Sequence, residues 1–364
     1  MNSLRVCILT LASLALCAAP ALAAKATKLS DLPGKAYVVR CNPEGTWIAA
    51  WTEGGGGKSA YTLYAINAAK GDKREVDSSD DPGGMCWIPN RNMLFYCKGK
   101  AVDSQVAGKF TAVTYWTFDT AKGTTKKIPG SDLKDELQTF IIDPVPADDG
   151  SKVFHLTITN NLPSFNIYFP ASNVMTPMLV KAKIAADYDL SADGQTVYWP
   201  MTDNTNGDLV ITGWGFKHHN YNALYEIAKD PATGRGGFKV DSTNKVAVTM
   251  ATSKSDPALK AVVYSFKDPK NPVAIPVHLD PSENIKMVDW KGRTGLLYMV
   301  VGHETGKGTL YSIIEVNPTS GTRTVVLPDS TDEIQFADYA PRSSTYFYTA
   351  VDPRGKGTRV VKLQ

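Results

Sequence analysis

The chain has 364 residues, of which 43% are hydrophobic, 21% charged and 10% aromatic. These are the proportions of an ordinary globular protein and exclude a disordered, collagenous or coiled-coil chain. Lys and Arg number 39 against 36 Asp and Glu, a formal net charge of +3. Without a concentrated basic field, no nucleic-acid partner is expected.

The first element in chain order is a leader. Arg5 gives a short positive start, Val6 to Ala19 is an apolar run, and Ala21-Leu22-Ala23 after Pro20 is a small-x-small cleavage pattern. Residues 1–23 therefore read as a secretory signal peptide cut after Ala23. The run is shorter than the about 20 residues of a bilayer span. Lipidation at Cys17 is disfavoured by the bulky Leu16 before it. No later segment is long and apolar enough to span a membrane. The expected location is periplasmic or secreted.

Cleavage leaves Cys41, Cys86 and Cys97. In an oxidising compartment one pair is plausible. Cys86 and Cys97 flank the turn at Pro89 to Asn92 and are slightly favoured; Cys41 with Cys86, or no disulfide, remain open. No CxxC motif supports a zinc or redox site.

From residue 36 onward the chain repeats itself. First halves read CNPEGTWIAAW from Cys41, WIPNRNMLFYC from Trp87, PADDGSKVFHL from Pro146, LSADGQTVYWP from Leu190, WKGRTGLLYMV from Trp290 and YAPRSSTYFYT from Tyr339. Second halves read LYAINAAKGDKREV from Leu63, YWTFDTAKGTTKKI from Tyr115, LYEIAKDPATGRGGFKV from Leu224 and LYSIIEVNPTSGTRTVVL from Leu310. Val, Ile, Tyr, Phe, Thr and Trp fill short runs, and Glu44-Gly45 and Asp193-Gly194 supply the tight turns. Each unit reads as about four strands with apolar side chains on both faces. Such a sheet cannot bury both faces alone, so the units must stack around an axis, as in a β-propeller.

The units span 36–77, 84–129, 138–181, 186–240, 244–277, 284–327 and 333–364, which predicts an all-β, seven-bladed β-propeller. The fifth unit is the weakest, and six blades is the alternative. The last unit is one strand short. Residues 24–35 contain Ala26-Thr27-Lys28-Leu29-Ser30, which reads like an outer strand, and it is expected to complete the last blade. Closure protects edges that an open array exposes.

The SADG turn and the Leu-Tyr strand followed by a Lys-Gly or Ser-Gly turn resemble the TolB-like, WD-repeat-like propellers, also found in prolyl oligopeptidases. The resemblance covers nearly all of the chain after the leader. It implies a propeller over 36–364 and, by analogy, protein partners in the cell envelope. A TolB-type protein would carry an α/β domain before its propeller and an oligopeptidase a hydrolase domain after it. Neither pattern is present, so a stand-alone propeller is expected.

Candidate chemistry is sparse. No Gly-x-Ser-x-Gly elbow is present, so no serine hydrolase is expected. The run Gly54 to Ser59 fails the phosphate-loop pattern because Thr52 occupies the first glycine position, and it leads into the strand at Tyr61. His218 and His219 are adjacent, and on a strand they point to opposite sides, so a shared metal is not expected. They lie in an apparent insertion, Thr202 to Asn222, with Trp214 and Tyr221; Trp214, His218, His219 and Tyr221 are candidate ligand or partner contacts. Asp189, Asp289 and Asp338 share one innermost-strand position, held by Arg40 and Cys86 in other units. They are candidates to bind a ligand or ion from the channel. The competing account is that each accepts backbone N–H bonds or pairs with Arg40. Trp47, Trp87, Trp199, Trp290, Tyr198 and Phe347 fall on repeat positions and read as core.

The expected protein is thus an exported, non-catalytic, monomeric binding or scaffold module for an envelope protein or a small ligand. No catalytic residue, metal or cofactor is assigned. The alternative is a propeller enzyme, a polysaccharide lyase or glycosidase, using channel carboxylates and a metal.

Overall fold

The computed structural model describes residues 24–54, 60–104, 108–130, 143–159, 162–179, 188–191, 193–202, 209–215, 220–227, 236–241, 246–250, 256–265, 273–352 and 357–364. The leader at 1–23 lies outside them. Among the described residues there is no helix, and none therefore that is long and apolar enough to cross a membrane.

The described strands form seven four-stranded antiparallel sheets. Sheet 1 spans 36–79, sheet 2 81–127, sheet 3 145–179, sheet 4 189–227, sheet 5 236–278 and sheet 6 283–330. Sheet 7 is built from both ends of the chain: Ile334–Ala340, Thr345–Val351 and Gly357–Leu363, then Ala26–Pro33 on its outer edge. Ala26 stands opposite Leu363 and Pro33 opposite Gly357, with one irregularity between Lys28 and Ser30.

The first strand of each sheet is innermost. These strands are Ala36–Cys41, Asp81–Ile88, Val145–Pro146, Asp189–Leu190, Gly236–Asp241, Glu283–Trp290 and Ile334–Ala340. Each touches the inner strand of the next sheet, and Ile334–Ala340 touches Ala36–Cys41. The inner strands therefore encircle one axis, the arrangement of a β-propeller.

The core lies between sheets. Trp51, Leu63, Met85, Trp87 and Tyr96 fill the seam of sheets 1 and 2. Phe154, Phe165, Tyr188, Trp199 and Trp214 fill that of sheets 3 and 4, and Leu32, Val39, Ile48, Phe347 and Val360 that of sheets 7 and 1. Both faces of a sheet are thus covered by neighbours, which is why the strands read as nearly continuous apolar runs. The turns follow from side-chain chemistry. Asn42 Oδ1 accepts from the N–H groups of Thr46 and Trp47 at 2.8 and 2.9 Å, and Gly45 takes φ 67°. Gly194 takes φ 59° in the equivalent turn of sheet 4.

Three expectations are corrected. The fourth unit does not extend to residue 240: Gly236–Asp241 is the inner strand of sheet 5, and sheet 4 ends with Asn220–Ile227. The apparent insertion is not one either. Leu209–Gly215 is the third strand of sheet 4, paired with Thr196–Thr202 on one side and, with one register shift at Ile211/Thr212, with Asn220–Ile227 on the other. The Cys86–Cys97 disulfide is not formed: Cys41, Cys86 and Cys97 are buried, and none of them is in a disulfide. Cys86 stands opposite Phe95, so Cys97 is its diagonal neighbour. Diagonal residues lie about 7–8 Å apart, beyond the usual reach of a disulfide.

Candidate functional site

Around the axis, charged residues recur at one inner-strand position: Arg40, Asp189, Lys239, Asp289 and Asp338. They are joined by a repeated backbone clamp. Asp338 accepts the N–H of its own neighbour Tyr339 at 2.9 Å and reaches to the N–H of Cys41 in sheet 1 at 2.7 Å. Asp189 does the same with Leu190 at 2.9 Å and with Val240 in sheet 5 at 2.7 Å. The residues preceding those cross-sheet donors are Arg40 and Lys239. Their own carbonyls are capped by indoles from the following sheet, Trp87 Nε1 to Arg40 at 2.9 Å and Trp290 Nε1 to Lys239 at 3.2 Å. The order carboxylate, cation, tryptophan thus occurs twice around the ring, over sheets 7-1-2 and 4-5-6.

Asp289 completes the set differently. Its Oδ1 takes the N–H of Trp290 at 2.7 Å, and its Oδ2 faces Lys239 at 3.9 Å. Its cross-sheet donor is not available, because Tyr339 N–H already serves Asp338. Arg40 bridges to Asp143, just before the inner strand of sheet 3, at 2.6 Å.

These groups are ringed by protein yet border the channel. Burial pushes the Asp189 carboxyl up to about 7, against Lys239 and the two N–H groups that favour its charged form. Burial likewise raises Asp338, opposed by Arg40 and the Cys41 N–H. For Arg40, burial works against the charge, but Asp143, Asp338 and Asp289 together raise its pKa and keep it a cation. Asp189 and Asp338 therefore join neighbouring sheets through backbone N–H groups.

One end of the axis opens into a cavity of about 580 Å³. Its wall is made by the turns that follow the inner strands of five sheets: Pro43, Pro89, Asp148, Lys291 to Thr294, and Tyr339 with Pro341 and Arg342. Rigid proline rings and Tyr339 form apolar faces, and Lys291, Arg293 and Arg342 supply positive charge. Arg293 spans from sheet 6 to Asp148 of sheet 3 at 2.7 Å. Arg342 bonds Glu44 of sheet 1 and Asn90 of sheet 2. Lys291 is held by Glu315 at 2.5 Å and lies near the rings of Tyr339 and Tyr346, 5.4 and 5.8 Å from their centroids. The volume lies in the range of small-molecule sites.

Of the residues singled out from sequence, the structure brings Arg40, Asp189, Asp289 and Asp338 to the axis, with Cys86 at the same position of sheet 2. Trp214 is not an exposed anchor: it is 4% exposed, packed against Trp199 and Phe154 in the core of sheets 3 and 4. Tyr221 stands opposite it in the strand register. His218 and His219 lie outside the described residues. His155 is fully buried, with Nδ1 2.7 Å from the Tyr115 hydroxyl and Nε2 3.9 Å from Cys97 Sγ. Among the described residues no group of three or more His, Cys, Asp and Glu side chains could hold a metal ion.

Sequence reasoning missed Lys239, because it lay in a misassigned outer strand, and Asp143. It also missed the cavity. The available signal was a proline in the same turn of three units, at Pro43, Pro89 and Pro341.

No protein-family model matches the chain, and a search of curated proteins returns no match. Solved structures do match. The β-propeller domain of the trilobed protease from Pyrococcus furiosus is 10% identical, with a TM-score of 0.63 over 91% of this chain and 96% of that one. An oligogalacturonate lyase from Vibrio parahaemolyticus is 10% identical, with a TM-score of 0.63 over 93% of each chain. Hydrazine synthase from Kuenenia stuttgartiensis is 11% identical, with a TM-score of 0.58 over 91% and 96%. The chain has a β-propeller fold. At such identities the likeness concerns fold alone, and the Pyrococcus domain is described as having an open velcro topology. Here the N-terminal strand pairs into the last sheet.

Proposed function

We propose that the chain is a seven-bladed propeller, ring-closed by Ala26–Pro33, that serves as an exported, non-catalytic binding module of the cell envelope. Its ligand or partner sits at the turn-lined mouth. The observation that carries this reading is the structural use made of the inner-strand repeat position. Both oxygens of Asp189 and of Asp338 take backbone N–H groups, whereas the mouth gathers solvent-facing cations and apolar faces from five sheets. A rigid ring presenting turns at one end is a common way to build a recognition surface. Residues 1–23 support export, and a cell-fractionation experiment with and without them tests it.

The binding reading is tested by filling the mouth. Thr294→Trp places an indole into the cavity from an exposed turn. Envelope extract is passed over the immobilised wild type and this variant. A component retained by the wild type and lost by the variant supports the reading, and equal retention by both overturns it.

A second reading is a propeller lyase or glycosidase, favoured by the Vibrio lyase among the similar structures and by the channel carboxylates. It requires Asp143 or Asp289 to contact substrate. Turnover of an acidic polysaccharide that Asp289→Asn abolishes would establish this second reading in place of the first.

A further inference from the structure

The mouth cavity has an electrostatic design that a generic binding surface does not need. Its wall carries three cations, Lys291, Arg293 and Arg342, and one carboxylate, Asp148. Each cation is already matched by a carboxylate of the chain itself: Lys291 by Glu315, Arg293 by Asp148 and Arg342 by Glu44. The lining thus presents three cations to one carboxylate, and Glu315 and Glu44 hold their partners from outside it. We propose that the mouth binds a small di- or tricarboxylate, with Arg293 and Arg342 as its principal contacts. This rests on the reading of the mouth as the binding site.

The two arginines are suited to exchange partners. The Arg293 side chain is 65% exposed and uses one terminal amino group on Asp148, which leaves its other donors to a ligand. Exposed ion pairs of this kind contribute little net stability, so a ligand carboxylate displaces the internal one at small cost. Arg342 is fixed at its backbone by an N–H bond to the Pro43 carbonyl at 2.9 Å, while its exposed head reaches Glu44 and Asn90. A guanidinium matches the planar, two-oxygen end of a carboxylate.

Lys291 has a different role. It is more enclosed than the arginines, and its partner Glu315 also accepts from the Tyr346 hydroxyl at 2.9 Å. It stays in place and contributes field. Tyr339, Pro43, Pro89 and Pro341 give one side of the cavity an apolar surface.

The size argues for a small molecule. A cavity of about 580 Å³ holds a molecule rather than a domain surface. A peptide added as a further strand would need an unpaired strand edge, and this wall is built mostly of turns.

The test is calorimetric titration of the chain with citrate, succinate, inorganic phosphate and glycerol at matched ionic strength. The expected result is binding of citrate or succinate that weakens with added salt. Arg293→Gln and Arg342→Gln, measured separately, each weaken it by about tenfold or more. Melting temperatures near wild type show that the variants fold, since both side chains are exposed. Citrate and succinate binding no better than phosphate or glycerol overturns the proposal, as does unchanged affinity in both arginine variants. If Thr294→Trp loses an envelope component while neither carboxylate binds the wild type, the mouth reading stands and the carboxylate proposal falls. If Thr294→Trp retains every component that the wild type retains and neither carboxylate binds the wild type, the mouth reading itself falls.

Discussion

Asp189 accepts one N–H from its own strand and one from the next sheet, and burial still holds its carboxyl near 7. An unfolded Asp titrates near about 4. Between these values the folded protein binds the extra proton, so this residue's contribution to stability falls as pH rises from about 4 to about 7, by at most about 1.4 kcal/mol per pH unit. Asp189→Asn removes that dependence. Denaturant unfolding at pH 5 and pH 7.5 is expected to show a stability difference between wild type and variant that shifts in the variant's favour at the higher pH. A constant difference would refute the assignment. Arg40 is the opposite case. Three carboxylates face it, and its removal leaves them uncompensated. Arg40→Met is expected to lose about 1–3 kcal/mol, discounted for its contact with channel solvent, and Asp143→Asn less. Chemical denaturation of the two single variants and the double variant measures the coupling between them.

Sheet 7 is the element on which closure depends. Ala26–Pro33 brings Leu32, 2% exposed, into the seam with sheet 1, and its backbone pairs along Gly357–Leu363. Deleting Ala26 to Asp31 is expected to lower the melting temperature sharply by exposing that seam and an unpaired edge. Calorimetry that shows no change would remove the closing role. Gly71 offers a subtler probe. It takes φ 75°, and a Cβ there would lie 2.3 Å from the Leu29 carbonyl oxygen. Gly71→Ala strains its turn and pushes on the closing strand, at a cost of about 1–3 kcal/mol. Its melting temperature should fall in the full-length chain. The shift should be smaller when Ala26 to Asp31 are already missing.

For the whole molecule, the ends of the ring meet. Lys25 N–H bonds the Gln364 carbonyl at 2.7 Å, and Gln364 N–H returns to Lys25 at 3.3 Å. Two antiparallel strands that end side by side can be joined by a two-residue turn such as Asn-Gly. Covalent joining of Gln364 to Lys25 through such a turn should preserve every sheet and restrict the unfolded chain. The expected outcome is a melting temperature higher by a few degrees in scanning calorimetry. A fall on joining would mean that the terminal strand is not held as described.

The amino-acid sequence alone determined the β character, the turn positions and the need for sheets to stack. These are local properties: apolar runs of strand length, Gly at positive φ, and Pro and Asn in turns. It also determined that a strand near residue 26 belongs with the end of the chain, because the last unit lacked its fourth. Only the tertiary structure decided which run belonged to which sheet in 186–278. There, Leu209–Gly215 was read as part of an insertion, and Gly236–Asp241 resembled the end of one sheet when it begins the next. The same error hid Lys239, whose meaning lies in its neighbours around the axis. The mouth site was hidden for a deeper reason. Pro43, Asp148, Arg293 and Arg342 are far apart in the chain, and each is an unremarkable turn residue alone. Their convergence is a property of the closed ring, which no window of sequence contains.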